Sequence, residues 1–112
     1  MNVRDAIERG DLKDFLEAMD PHVVWRAVGE EEPGCRNRDE VRSVFETWME
    51  RGFTGRPEIL AESDDRIAVD PHVEPRHPDY PDLHHVFTLR DGLIVEMQDY
   101  PDRATALEAV ER

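Results

Sequence analysis

The chain has 112 residues, the length of one ordinary domain, so we expect a single domain over residues 1–112. Acidic residues outnumber basic ones by 27 to 14, which gives a formal net charge of −13 at pH 7. Because nucleic acids and anionic membranes are bound through basic surfaces, this balance predicts neither of them as a partner. The first residues do not resemble a signal peptide, no apolar run is long enough to span a bilayer, and the single cysteine cannot form an intrachain disulfide. These features predict a cytoplasmic protein.

Two short helices and a strand are predicted first. Apolar residues recur at helical spacing over residues 2–19. Gly10 and Asp11 interrupt this pattern, since glycine commonly ends a helix and aspartate commonly begins one. The strand predicted over residues 22–28 carries Trp25 on one of its faces.

A third helix and two more strands follow. Asn37 and Glu40 have the spacing of a capping box, and the apolar helical stripe behind them ends at Gly52. Alternating residues predict strands over 56–63 and 66–73, joined by a turn of two aspartates.

The segment 74–82 separates these strands from the last part of the chain. Three prolines within nine residues exclude a regular element, so we expect a loop beside the mouth of a cavity, and the sequence leaves open whether it acts as a lid. A final helix is predicted over residues 103–110, with Asp102 as its cap.

Residues 83–100, which lie between this loop and the final helix, contain the strongest hairpin signal, with Asp91-Gly92 at the turn. A two-residue turn would place His84 opposite Asp99, whereas a three-residue loop with a bulge at Gly92 would place Leu83 there. We favour the second register because it gathers the apolar residues and two ionisable ones on one inner face. That face holds Leu83, His85, Phe87, Leu89, Leu93, Val95, Met97 and Asp99, while His84 points outward.

Residues 92–99, Gly-Leu-Ile-Val-Glu-Met-Gln-Asp, resemble the C-terminal hairpin of SnoaL-like proteins, which belong to the nuclear-transport-factor-2-like superfamily. The resemblance extends over the whole chain. It implies an α+β, cone-shaped fold in which a strongly curved, mostly antiparallel sheet wraps around N-terminal helices. In the polyketide-cyclase members the aspartate that ends this motif is the catalytic acid/base, and a histidine one strand earlier lines the same cavity. Asp99 and His85 occupy these positions, whereas Met97 and Gln98 stand where the cyclases favour His-Trp.

Asp99 is the leading catalytic candidate on physical grounds as well. A carboxylate on an apolar face loses hydration, which favours its neutral form and suits a general acid or base. The alternative is that Asp99 pairs with Arg103 at the end of the strand. His85 is its natural proton partner, and the alternative for His85 is a core histidine bonded to a backbone carbonyl.

Several apolar residues are candidates for lining a pocket for a small hydrophobic molecule, although plain core packing would explain them equally well. They are Phe15, Trp25, Phe45, Trp48, Phe87, Val95 and Met97. The histidines and neighbouring aspartates match no ligand spacing, so neither a metal nor another cofactor is predicted. Cys35 lacks the partners of a catalytic nucleophile.

Two functional hypotheses follow. The first is a cofactor-independent isomerase, cyclase or hydratase that acts on a carbonyl-bearing ligand, with Asp99 as general acid/base and His85 orienting or sharing the proton. The second is a non-catalytic binding or assembly module, because one fold supports both. We also expect a homodimer through the outer face of the sheet, where Val86, Ile94 and Tyr100 lie among polar residues.

Overall fold

The computed structural model describes residues 2–111 and contains helices on both sides of one sheet. The elements in chain order are α1 (Val3–Arg9), α2 (Leu12–Glu17), β1 (Met19–Arg26), α3 (Arg38–Glu50), β2 (Glu58–Glu62), β3 (Arg66–Asp70), β4 (His84–Arg90), β5 (Leu93–Tyr100) and α4 (Arg103–Glu111). Most helices precede most strands, which confirms the α+β class.

The helix ends follow the local sequence signals. Gly10 has a φ of 68° and ends α1, and the Asp11 carboxylate accepts hydrogen bonds from two backbone N–H groups at the start of α2. These contacts confirm the predicted break between the first two helices. The Asn37 side chain accepts the N–H of Glu40 at 2.9 Å. The Glu40 carboxylate accepts the N–H of Arg36 at 2.8 Å, so the returning half of the capping box is displaced by one residue.

One five-stranded sheet has the order β1-β5-β4-β3-β2. The β1–β5 pair is parallel and the other pairs are antiparallel, so β1 lies beside the last strand. The strands β2 and β3 are shorter than predicted. Strand β3 ends at Asp70 because Pro71 has no N–H to continue the ladder. The inner face packs against α1, α2 and α3 and carries the larger apolar core.

The register of the β4–β5 hairpin corrects both sequence alternatives. Asp91 and Gly92 have φ of 53° and 79°, which identifies a two-residue type I′ turn. A bulge then shifts the register, so that His85 lies directly opposite Asp99 and not diagonal to it. Val95 is the extra residue of this bulge.

The bulge also changes which residues of β5 face the core. Ile94 is fully buried in the inner core, and Met97 and Asp99 share that face as predicted. The assignment of Leu93 to the inner face is wrong, because Leu93 precedes the inner residue Ile94 and periodicity alone does not reveal an inserted residue. Val95, the inserted residue, packs in neither apolar cluster.

Helix α4 covers the outer face of the sheet. Its residues Ala106, Ala109 and Val110 pack with Ala68 and Val86 in a second apolar cluster. The three residues expected to form a homodimer surface are therefore covered within the chain: Val86 and the partly buried Tyr100 pack in this cluster, and Ile94 belongs to the inner core. His84 lies opposite Tyr100 on this outer face, as expected, but it is covered and only 1% exposed.

Candidate active site

The side chains of His85 and Asp99 meet on the inner face of the sheet. Nδ1 of His85 lies 2.7 Å from Oδ1 of Asp99, and the two residues are 3% and 9% exposed. An ionised carboxylate only accepts hydrogen bonds, so Nδ1 is the donor. The bond therefore fixes the ring orientation and leaves Nε2 with the lone pair when the imidazole is neutral.

Trp25 is the second partner of the carboxylate. Its indole Nε1 donates to the same Oδ1 at 2.7 Å, from the neighbouring strand β1. Among the described residues, the side chain of Asp99 has these two partners, so the alternative pairing with Arg103 is wrong. The sequence indicated Trp25 as a pocket residue but gave no sign of this bond, which depends on the parallel pairing of β1 with β5.

A cavity of about 420 Å³ lies between the helices and the inner face of the sheet. Four of the seven predicted pocket residues line it, namely Phe15, Phe45, Trp48 and Phe87, and so does His85. The floor also includes Ile7 of α1 and Val69 of β3, which sequence patterns placed in helix and strand but not in a pocket. The lining is mainly apolar, as in most small-molecule sites.

The remaining predicted pocket residues do not line this cavity. Trp25 and Met97 belong to the buried core, where Trp25 stacks on Phe45 with ring centres 5.2 Å apart. Val95 lies at the bulge, outside both apolar clusters. Asp99 is also absent from the lining, so His85 is the member of the pair that borders the cavity.

The rim of the cavity is formed by exposed residues of the helices and of the 53–57 segment. Met49 is 58% exposed there and is the one large hydrophobic residue among the described residues that is exposed. The segment 74–82 does not line this cavity itself, but Glu74 at its start forms a β-bridge with Thr54 of the lining, so the loop begins at the edge of the cavity. It encloses a second, smaller cavity of about 160 Å³ together with Asp70 and His72.

Cys35 is buried beside Trp25, with which it forms an isolated β-bridge. Burial raises the pKa of its thiol, and the nearby carboxylates of Glu40 and Asp99 raise it further. A raised pKa lowers the thiolate fraction, so this environment disfavours a nucleophilic role for Cys35.

Solved structures share this architecture at low sequence identity. A candidate polyketide cyclase from Sinorhizobium meliloti has a TM-score of 0.63 and 20% identity, covering 88% of this chain and 89% of that chain. An NTF2-like protein from Burkholderia thailandensis has a TM-score of 0.64 and 19% identity, with coverages of 99% and 92%. A protein of unknown function with a cystatin-like fold from Xanthomonas campestris has a TM-score of 0.65 and 21% identity, covering 98% of each chain.

These similarities confirm the cone-shaped, nuclear-transport-factor-2-like fold. No curated protein sequence matches the chain significantly. Within residues 2–111, no helix is both long enough and apolar enough to cross a membrane. The family model of the SnoaL-like domain matches residues 2–97, which include His85 and end two residues before Asp99. The chain therefore belongs to the SnoaL-like domain family.

Proposed function

We propose that this protein binds an apolar, carbonyl-bearing molecule in the 420 Å³ cavity and catalyses a cofactor-independent proton transfer of isomerase, cyclase or hydratase type. The observation that carries the proposal is the position of His85. Its ring borders an apolar cavity on one side and bonds a buried carboxylate at 2.7 Å on the other. A histidine held in this way is suited to accept a proton from a ligand and to return it.

The geometry favours His85, and not Asp99, as the group that touches the ligand. With Nδ1 bonded to Asp99, Nε2 is the ring nitrogen available to a ligand. Asp99 lies behind the ring, where its charge would stabilise the imidazolium formed during the reaction. The family resemblance implied Asp99 as the general acid/base and His85 as its partner. In this proposal His85 is the general acid/base and Asp99 is its partner.

The cavity also restricts the class of ligand. Its volume falls within the range of about 300–1,000 Å³ that is usual for small-molecule pockets. Four phenylalanines and Trp48 supply flat apolar surface, which suits a ring system. The net charge of −13 repels anions, so a neutral ligand is favoured.

Deuterium exchange into a neutral bicyclic ketone such as 2-tetralone, followed by NMR in D₂O, tests the proposal. The protein should accelerate exchange at the carbon next to the carbonyl above the buffer rate. His85→Gln should lower the acceleration by about 10²-fold or more, since general-base contributions are of that order. Asp99→Asn keeps the hydrogen-bond acceptor but removes the charge, so it should lower the rate less.

His22→Gln is the matched control, because His22 is an exposed histidine of β1 and should leave exchange unchanged. Circular dichroism checks that each variant is folded. An exchange rate equal to that of buffer, or an unchanged rate in folded His85→Gln, would refute the catalytic proposal.

A non-catalytic binding module is the second candidate. The observation that favours it is that the Asp99 carboxylate has two donors, as expected of a buried polar group with a purely structural role. Nile red, a neutral apolar dye, distinguishes the two. Equal dye affinity in the wild type and His85→Gln, together with no ketone exchange, would support the module.

A further inference from the structure

A second cluster of ionisable side chains lies beside the smaller cavity, away from the His85–Asp99 pair. Glu58, Asp70 and His72 each offer a ligand atom, and these atoms all lie within 4.8 Å of one another. His84 joins the cluster through its Nε2, which is 3.6 Å from Oδ2 of Asp70. We propose that these four residues form a binding site for a divalent transition-metal ion, for which Zn²⁺ is the best fit.

His84 supplies the observation that points to a cation. Its Nδ1 lies 2.6 Å from the backbone carbonyl of Asp82, and a carbonyl can only accept, so Nδ1 carries the hydrogen. In the neutral ring Nε2 then presents a lone pair. The side chain is 2% exposed, and Nε2 has no hydrogen-bond partner among the described residues.

When the ring is neutral, a lone pair therefore faces the carboxylate oxygen of Asp70 in a buried place. Two acceptors cannot bond each other, and leaving a buried acceptor without a partner costs roughly 1–3 kcal/mol. A positive ion between Nε2 of His84 and Oδ2 of Asp70 would satisfy both atoms.

The distances from the two histidines to Asp70 suit tetrahedral coordination. Nε2 of His72 lies 3.5 Å from Oδ2 of Asp70, close to the 3.6 Å between that oxygen and His84. Ligand bonds of about 2.0–2.1 Å in a tetrahedron place neighbouring ligand atoms about 3.3 Å apart. The His72–Glu58 separation of 2.9 Å is that of a hydrogen bond, which a metal would replace with two metal–ligand bonds.

The contacts behind the ligand atoms also match those of metal sites. Metal-bound histidines commonly donate their second ring N–H to a backbone carbonyl, which is what His84 does with Asp82. The other oxygen of Asp70 accepts the backbone N–H of His72 at 2.9 Å, so that carboxylate is held with Oδ2 toward the cluster. Both contacts orient a ligand before any ion binds.

The donor set selects the type of metal. Two imidazole nitrogens and two carboxylates suit Zn²⁺, whereas Ca²⁺ and Mg²⁺ prefer oxygen ligands alone. Two carboxylates and two neutral rings carry a charge of −2, which a divalent ion neutralises. Glu58 and His72 are exposed, and the 160 Å³ cavity that Asp70 and His72 line gives an ion and its water a path to the site.

Isothermal titration of ZnCl₂ into tag-free protein freed of metal by chelation tests the site. We expect one equivalent of Zn²⁺ to bind, and MgCl₂ to give no binding under the same conditions. Asp70→Asn and His72→Ala should each weaken Zn²⁺ binding at least tenfold. His22→Ala removes an exposed histidine outside the cluster and should leave the affinity unchanged.

His84 is best tested without substitution, because a buried residue can be needed for folding. Long-range ¹H–¹⁵N correlation spectra of the wild type should show the Nε2 resonance of His84 shifting as Zn²⁺ is added. The absence of Zn²⁺ binding, equal affinity in folded Asp70→Asn and His72→Ala, or an unmoved His84 Nε2 signal at saturation would each overturn the proposal. None of these readouts depends on ketone exchange, so the metal-site proposal can fail or succeed independently of the catalytic proposal.

Discussion

The Asp99 carboxylate joins three strands through a single oxygen atom. His85 of β4 and Trp25 of β1 both donate to Oδ1 at 2.7 Å, from either side of β5. Hydrogen bonds to a buried charge contribute about 1.5–3 kcal/mol each, and removing a donor also leaves the charge poorly solvated. Trp25 is therefore a positioning residue for the pair as well as part of the core.

Trp25→Phe should lower the free energy of unfolding by about 2 kcal/mol or more, as measured by urea denaturation. The substitution keeps an aromatic ring against Phe45 and removes the indole donor. Because it also removes volume, the same change is made in an Asp99→Ala background, where the loss should be smaller by at least about 1 kcal/mol. Equal losses in the two backgrounds would show that the indole–carboxylate bond does not contribute. Trp48→Phe is the control, since Trp48 lies on the cavity wall and is not one of the two donors to the carboxylate among the described residues.

The sequence allowed part of this site to be predicted. Alternation along β4 and β5 correctly placed His85 and Asp99 on the inner face. It could not show that they lie opposite each other, because this depends on the bulge at Val95. The contact with Trp25 spans 74 residues and depends on the parallel pairing of β1, for which no local pattern exists.

At the level of elements, helix ends are more predictable than strand ends. Caps are local, and Gly10, Asp11, Asn37 and Asp102 all act where the sequence placed them. Strand ends depend on the neighbouring strand, which is why β1 begins at Met19 and not at residue 22. The sequence also did not indicate which face of the sheet α4 covers. Small residues such as Ala106 and Ala109 are compatible with either face.

A matched pair of substitutions in α4 tests its packing on the outer face of the sheet. Ala106 is fully buried in the second apolar cluster and Ala104 is exposed two residues earlier in the same helix. Ala106→Asp should lower the free energy of unfolding by about 2–4 kcal/mol, because it buries an unpaired charge. Ala104→Asp should change it by less than about 0.5 kcal/mol.

Urea denaturation measures both changes, and similar effects of the two substitutions would contradict the packing of α4 on the sheet. Size-exclusion chromatography of the two variants adds a second readout. Loosening α4 exposes the patch around Val86, so Ala106→Asp should self-associate more than Ala104→Asp.

At the scale of the whole molecule, the fold was predictable and the sites between distant segments were not. The family motif in residues 92–99 and the order of elements together specify the cone-shaped fold. The Glu58–Asp70–His72–His84 cluster matches no sequence motif. Its residues lie on β2, β3, β4 and a turn, so their spacing along the chain is set by the pairing of the strands and not by a single ligand-binding loop. The segment 74–82 was correctly predicted to be irregular, but which cavity it would enclose depends on tertiary packing.

The net charge of −13 is carried by a molecule only 28–33 Å across, so repulsion between surface carboxylates should oppose folding at low salt. The Debye length is about 30 Å at 0.01 M salt, which is similar to the diameter of the molecule, and below 8 Å at 0.5 M. Added salt therefore screens the repulsion between carboxylates on different parts of the surface. Exposed pairs such as Arg36–Glu32 would be weakened by salt, but each contributes at most about 1 kcal/mol. We expect the urea midpoint to rise between 10 mM and 500 mM NaCl, and to rise equally in choline chloride if screening is the cause. The triple variant Glu30→Gln, Glu31→Gln, Glu32→Gln removes three charges from one exposed loop, so its urea midpoint should rise less with salt than that of the wild type. A wild-type midpoint that falls with salt would mean that the ion pairs outweigh the repulsion.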